Sequence, residues 1–136
     1  MSVYEEILQK QDIAAEMLTE LRKEDAYAVC QAKNTRLRDS FNRRLGKGES
    51  EAIAIAIEKQ TDMVLLDDHA ARSEALRLGL DVKGTLGIIR RLMELDRYQS
   101  DIESLYLLLR KMNFRISDRI FHAVFKTENI RRDKEL

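Results

Sequence analysis

The sequence predicts an α/β fold with a short parallel sheet, because compact apolar runs alternate along the chain with helical patterns. The apolar runs cover residues 26–30, 63–66 and 80–82, and they suit short strands. Cys30, at the end of the first run, is expected to be an inert core residue. The order strand, helix, strand, helix, strand, helix is typical of a parallel sheet with right-handed crossovers.

The composition limits the class of protein. The chain has 136 residues with no Pro and one Cys, and Lys plus Arg equal Asp plus Glu at 24 each. This length predicts a single domain over residues 1–136, with the tail 130–136 frayed. One cysteine excludes an intramolecular disulfide scaffold, and zero net charge argues against coating nucleic acid through bulk charge. No run is long enough for a membrane helix and the acidic N-terminus lacks a signal-peptide pattern, so we expect a cytoplasmic protein without a membrane partner.

Several segments have apolar residues at helical spacing. Residues 3–21 predict one or two amphipathic helices, and the basic residues 36–45 predict a helix or a loop. Residues 52–57 alternate Ala and Ile, which fits a strand by its period of two; we favour a buried helix, because Ala is the strongest helix former. Further helices are predicted at residues 69–78, ending at Gly79, and at residues 86–95, 102–112 and 116–125.

Three carboxylates mark a candidate site. Asp67 and Asp68 follow the run 63–66, which we interpret as a strand covered on both faces, and Glu49 begins the preceding helix. Because functional groups collect outside the carboxyl ends of parallel strands, we expect the three side chains to approach one another. Clustered carboxylates favour Mg²⁺ or Mn²⁺. In the alternative interpretation, Glu49 and the Asp pair only stabilise the N-termini of two helices.

Basic residues are concentrated in one stretch. Residues 31–48 hold six bases and one acid, whereas residues 49–68 hold six acids and one base. A basic patch with one aromatic residue, Phe41, is suited to contacting phosphates of a nucleic acid, and a solvated basic face is the alternative. The candidate phosphate-binding residues of this stretch are Arg43, Arg44 and Lys47, with Arg36 and Arg38 beside them.

Three motifs, in the expected order, resemble the PIN-domain superfamily. They are Gly48-Glu49-Ser50-Glu51-Ala52-Ile53, then Leu65-Leu66-Asp67-Asp68 with Ala71-Arg72, then Gly79-Leu80, Val82 and Gly84-Thr85-Leu86-Gly87-Ile88. The nearest branch is the VapC-like group of bacterial and archaeal proteins, and the resemblance is closest over residues 46–90. Asn113-Phe114-Arg115-Ile116-Ser117 is similar to the C-terminal helix junction of that branch.

The resemblance implies a three-layer PIN-like fold with a helical C-terminal part and the chemistry of a metal-dependent ribonuclease. In this family, acids from different strands bind one or two Mg²⁺ or Mn²⁺ ions, which activate water against an RNA phosphodiester. Carried over by position, Glu49 and Asp67 or Asp68 are catalytic and metal-binding residues. Arg72 would contact a phosphate, or pair with Glu49 or Asp68. RNA and an antitoxin protein are the implied partners, as in toxin-antitoxin pairs.

The sequence differs from the family at its beginning. PIN domains start with a strand that ends in an Asp, then a helix and a second strand, before a segment that resembles residues 3–7 here. We therefore expect an N-terminally truncated PIN-like domain, through a start codon assigned too late or a natural shortening. A site short of one acid should bind metal weakly. The rival hypothesis is a non-catalytic scaffold, and we expect a homodimer or larger assembly because a missing strand exposes a sheet edge.

Overall fold

The computed structural model describes residues 3–132, with side chains described up to residue 126. Within this range the fold is mostly helical, with eight helices and one two-stranded parallel sheet. This confirms the predicted α/β class with a helical C-terminal part. The elements are α1 (Val3–Gln9), α2 (Ile13–Lys23), α3 (Thr35–Phe41), α4 (Lys47–Lys59), β1 (Val64–Leu65), α5 (His69–Arg77), β2 (Val82–Lys83), α6 (Thr85–Glu94), α7 (Ile102–Lys111) and α8 (Asp118–Arg132).

The chain divides into two compact units, one that ends at Lys83 and one that begins at Gly84. The N-terminal unit contains α1 to α5 and both strands, and the C-terminal unit contains α6 to α8. Each unit has its own apolar core, and no residue belongs to both cores. That residues 1–136 act as one domain remains a prediction from the sequence.

The sheet pairs β1 and β2 in parallel, with Val64 opposite Val82. Val64 and Leu66 are buried. Met63 and Leu65, which alternate with them, are 45% and 56% exposed. Because successive side chains of a strand point to opposite faces, β1 buries only one face. The predicted strand covered on both faces is therefore wrong, since an apolar run shows only that both faces could be buried.

Residues 26–30 form no strand in the described part of the chain, so the predicted first strand is wrong. Most of the segment is exposed, and Cys30 is an exposed free thiol instead of a core residue. The segment is attached through Tyr27, whose hydroxyl donates to the Leu18 carbonyl at 2.7 Å and whose ring lies 6.5 Å from that of Tyr4. A short apolar run does not form a strand without a neighbouring strand to pair with.

Helix α4 confirms that residues 52–57 are helical. Ile53, Ala54 and Ala56 are buried, and the helix packs against β1 and α5. The small Ala side chains allow close packing at a helix surface that also buries Ile. The helix ends at Lys59, and the C-cap residue Gln60 adopts a left-handed backbone conformation with φ of 51°.

The two alternatives left open near the N-terminus are also settled. Two helices, α1 and α2, occupy the first segment, and the chain turns between them at Gln11, where φ is 49°. Asp12 then caps α2, because its carboxylate accepts the Ala15 N–H at 3.1 Å. The basic segment is a helix only up to Phe41, which is buried at the end of α3, and residues 42–45 form a turn. The helix begins after the N-cap residue Asn34.

The C-terminal unit is built on α6, α7 and α8. Its core includes Leu105 and Leu109 of α7 and the fully buried Phe121 and Phe125 of α8, whose ring centroids lie 4.8 Å apart. Of the tail expected to fray, residues 130–132 continue α8, and residues 133–136 lie outside the described residues. None of the described helices has the length and apolar composition needed to cross a membrane.

Candidate functional site

Asp67 and Asp68 lie directly beyond the carboxyl end of β1. The backbone N–H of Leu66 donates to the Lys83 carbonyl at 2.9 Å, which is the last bond of the short parallel ladder. Both Asp side chains are exposed at this end of the sheet. Their position relative to the strand is therefore the one that the sequence predicts.

The carboxylate of Asp68 serves as the N-cap of α5. Its Oδ2 accepts a hydrogen bond from the Ala71 N–H at 2.9 Å, and its backbone is extended, with ψ of 132°. An N-cap carboxylate satisfies one of the unpaired N–H groups of the first turn and interacts favourably with the helix dipole. Asp68 therefore stabilises the N-terminus of a helix, as the alternative interpretation of the sequence expected.

Glu49 lies in the first turn of α4 and folds back over the start of its own helix. A Cβ atom added at Gly46, the N-cap residue, would collide with Glu49 Oε2. Glycine at position 46 leaves room for this carboxylate beside the helix N-terminus, where negative charge is favourable. The first turn is reinforced by Ser50, which is fully buried and donates from Oγ to the Gly46 carbonyl at 2.8 Å.

The described residues contain no group of three or more His, Cys, Asp or Glu side chains placed to hold a metal ion. Asp68 already uses one oxygen to cap α5, and Glu49 lies against the N-terminus of α4. A Mg²⁺ or Mn²⁺ site needs several oxygens directed at one point. The described carboxylates are therefore not gathered into such a cluster, and the assignment of Glu49, Asp67 and Asp68 as metal ligands remains a prediction from the sequence.

Arg72 connects α5 to the end of the sheet. Its Nη1 donates to the Leu66 carbonyl at 2.9 Å, and the side chain is half-buried. Among the described ion pairs, Arg72 forms none with Glu49 or Asp68, the two acidic partners considered for it. The guanidinium group instead binds the backbone beside the acids.

The residues of the predicted basic patch differ in their contacts, since some are exposed at the surface and others pair with acids of the same unit. Arg43 and Lys47 are exposed, between α3 and the first turn of α4. Arg44 is also exposed, but it lies 3.9 Å from Glu74, which binds Arg77 more closely. The hydrogen bond from Arg77 is the main cause that lowers the pKa of the Glu74 carboxyl, with Arg44 contributing less.

Two acids of α4 have a role that the sequence did not indicate. The Ala32 N–H donates to Glu51 Oε1 at 2.6 Å, and Glu58 accepts the N–H groups of Lys33 and Asn34 at 3.0 and 2.6 Å. We call Glu51 and Glu58 the carboxylate clamp. The two N–H bonds are the largest cause that lowers the pKa of Glu58. The two acids are seven residues apart, which places them on one face of the helix. This spacing is the only feature of the sequence that could have indicated their shared role.

Comparison with known proteins agrees with the motifs. The family model DUF3368, described as a PIN domain, matches residues 1–129. No curated protein and no solved structure matches the chain. The family match extends well beyond residues 46–90, where the three motifs lie, and it includes the C-terminal unit up to α8. The chain therefore belongs to the PIN-domain family.

Proposed function

We propose that this protein binds RNA and has weak or no metal-dependent ribonuclease activity. PIN domains in general are metal-dependent nucleases, which supports nucleic acid as the ligand class. The single observation that supports weak cleavage is the use of the Asp68 carboxylate as a helix cap. A carboxylate engaged in this way, with Glu49 turned toward its own helix, supplies few oxygens to a cation.

The basic surface before α4 supports the same proposal. Arg43 and Lys47 are exposed. Lys47 is the first residue of α4, the helix that also carries Glu49, and Arg43 lies in the turn before it. Phosphate contacts by such residues supply affinity without base specificity and make binding dependent on salt. We therefore assign RNA backbone contacts to Arg43 and Lys47, with Arg44 and Arg72 in secondary roles because each already binds another group.

The test combines binding and cleavage of a labelled single-stranded RNA. We expect binding in EDTA, with little added cleavage when Mg²⁺ or Mn²⁺ replaces it. Lys47→Ala should weaken binding several-fold, whereas Lys59→Ala, at the other end of α4, is the matched control and should not. Robust metal-dependent cleavage that disappears in Asp67→Asn or Asp68→Asn would instead establish an active nuclease, and absence of RNA binding would refute the proposal.

A second candidate function is that of a self-associating scaffold, and β1 favours it. The strand pairs only with β2 among the described residues, and Met63 and Leu65 on its uncovered face are 45% and 56% exposed. Open edges with apolar side chains tend to be covered by another strand. A second copy of this chain is the partner that we propose for this edge. An antitoxin protein is the further partner that the family resemblance suggests.

A further inference from the structure

The C-terminal unit contains a groove of about 1000 Å³ whose two walls carry opposite charge. One wall belongs to α8 and presents Arg119, His122 and Lys126. The other wall is the beginning of α7 and presents Asp101 and Glu103. All five side chains are exposed. Asp101 is the N-cap of α7 and accepts the Ser104 N–H at 2.8 Å, so Glu103 is the main acidic acceptor that this wall presents to a ligand. The groove therefore offers cationic donors and an anionic acceptor to the same ligand.

The basic wall is held in place by the core of the unit. Arg119, His122 and Lys126 are spaced by three and four residues, which places them along one face of α8. The neighbouring face carries Phe121 and Phe125, which are fully buried, so the rotation of the helix about its axis is fixed. Among the described side chains, Arg119 and Lys126 form no ion pair. Their charges are available to a ligand.

An aromatic stack lies inside the same groove. The rings of Tyr106 and His122 are nearly parallel, with an angle of 20° and centroids 6.2 Å apart. Tyr106 is fixed from three sides: its hydroxyl donates to Asp118, the Arg110 guanidinium lies 5.8 Å from its ring, and Phe121 meets it edge-on. His122 remains exposed although it is stacked on one side. The stack can therefore be extended by another planar ring.

We propose that this groove binds one ribonucleotide unit. Its phosphate contacts Arg119 and Lys126, its base stacks on His122, and a ribose hydroxyl donates to Glu103. The acidic wall disfavours a ligand that offers only negative charge, whereas ribose hydroxyls are donors that a carboxylate accepts. This inference rests on the RNA-binding function proposed above and adds a contact surface in the C-terminal unit.

The test measures binding of a labelled oligouridylate to the full chain in EDTA by fluorescence anisotropy. The variant Arg119→Ala/Lys126→Ala should raise Kd about tenfold and lower the salt dependence of log Kd by about two. The control Arg97→Ala/Lys111→Ala removes the same two residue types from the same unit, outside the groove, and should change Kd much less. Circular dichroism verifies that each variant keeps its helices.

Two further variants test the ribose and the base. Glu103→Gln should reduce the preference for RNA over DNA of the same sequence, because the carboxylate acceptor for the 2′-hydroxyl is weakened. His122→Ala should weaken binding about tenfold and His122→Phe should restore it, since phenylalanine keeps the stacking surface. Competition by uridine monophosphate shows whether a free nucleotide is sufficient or an RNA chain is required.

The proposal is overturned if the groove variant binds RNA as the parent does, if both double variants weaken binding equally, or if the parent binds no RNA. Binding is measured without a metal ion, so the absence of cleavage does not affect the result. If Lys47→Ala weakens RNA binding and the groove variants do not, the proposed RNA-binding function stands. The groove is then refuted as the binding site.

Discussion

Arg72 donates a hydrogen bond from Nη1 to the Leu66 carbonyl at 2.9 Å, which connects the first turn of α5 to the end of β1. The bond lies immediately before Asp67 and Asp68 in the chain. The guanidinium group therefore helps to fix the turn that presents both candidate acids. Arg72 acts on these acids through the backbone, in addition to any contact that it makes with a phosphate.

Replacing Arg72 should destabilise the N-terminal unit. Arg72→Ala removes a charge-assisted hydrogen bond to a buried residue, and we expect the free energy of unfolding to fall by about 1–2 kcal/mol. Arg43→Ala removes the same side chain type from an exposed position and should change it by less than about 0.5 kcal/mol. Urea denaturation followed by circular dichroism provides the comparison. Equal effects of the two substitutions would contradict a specific role for the Arg72 bond.

Asp68 should behave as a helix cap in stability measurements. Asp68→Ala removes the acceptor for the Ala71 N–H and should cost about 1 kcal/mol of unfolding free energy. Asp68→Asn keeps a good cap residue and should retain most of this stability while it removes the negative charge. Thermal unfolding of both variants without metal distinguishes the two effects. An Asn variant as unstable as the Ala variant would show that charge, and not capping, stabilises this position.

The stability of the protein should decrease in acid, in part through Glu58. The N–H groups of Lys33 and Asn34 lower the pKa of this carboxyl in the folded state. Its contribution is therefore complete above the ordinary pKa of glutamate and is lost as pH falls through the lowered value. Glu58→Gln should reduce the slope of unfolding free energy against pH from about pH 5 downward, and should leave it unchanged at higher pH. Superimposable pH profiles for parent and variant would argue against this linkage.

Self-association should depend on the exposed side of β1. Leu65→Lys places a charge on an open strand and should shift the protein toward the monomer in sedimentation velocity at micromolar concentration. Leu76→Lys, on α5, is the matched control because Leu76 is 59% exposed and lies outside the sheet. A parent protein that is monomeric at every concentration, or two variants with the same effect, would refute the edge as the association surface.

The sequence predicted the helices better than the sheet. α4 follows from the helix propensity of Ala although its apolar residues alternate with a period of two. The stop after α5 follows from Gly79, where φ is +79°. The strand predicted at residues 26–30 was wrong because strand formation depends on a pairing partner, and local sequence does not show whether one is present. The one-sided burial of β1 was also missed, because it depends on which elements pack on each face of the sheet.

The sequence predicted where the candidate site lies in the fold, but it did not predict the hydrogen bonds from side chains to the backbone. The location of Asp67 and Asp68 after a strand follows from local pattern, and so does the capping alternative for Asp68. The bonds of Arg72 to Leu66 and of Glu58 to Asn34 join a side chain to a backbone group, and any residue type supplies that group. Such bonds do not require a particular residue type at the position that supplies the backbone group. Composition and spacing therefore do not reveal them.

The carboxylate clamp determines where the chain tolerates changes in length. Glu51 and Glu58 hold the backbone of residues 32–34 alongside α4. The two side chains therefore set the alignment of this segment with the helix, as backbone pairing sets the alignment of two strands. Extra residues inserted within the exposed stretch 28–31 leave both attachment points in place. Deleting one residue between Glu51 and Glu58 instead turns the second carboxylate by about 100° around the helix axis and opens the clamp. The number of residues between these two acids is therefore fixed by the clamp.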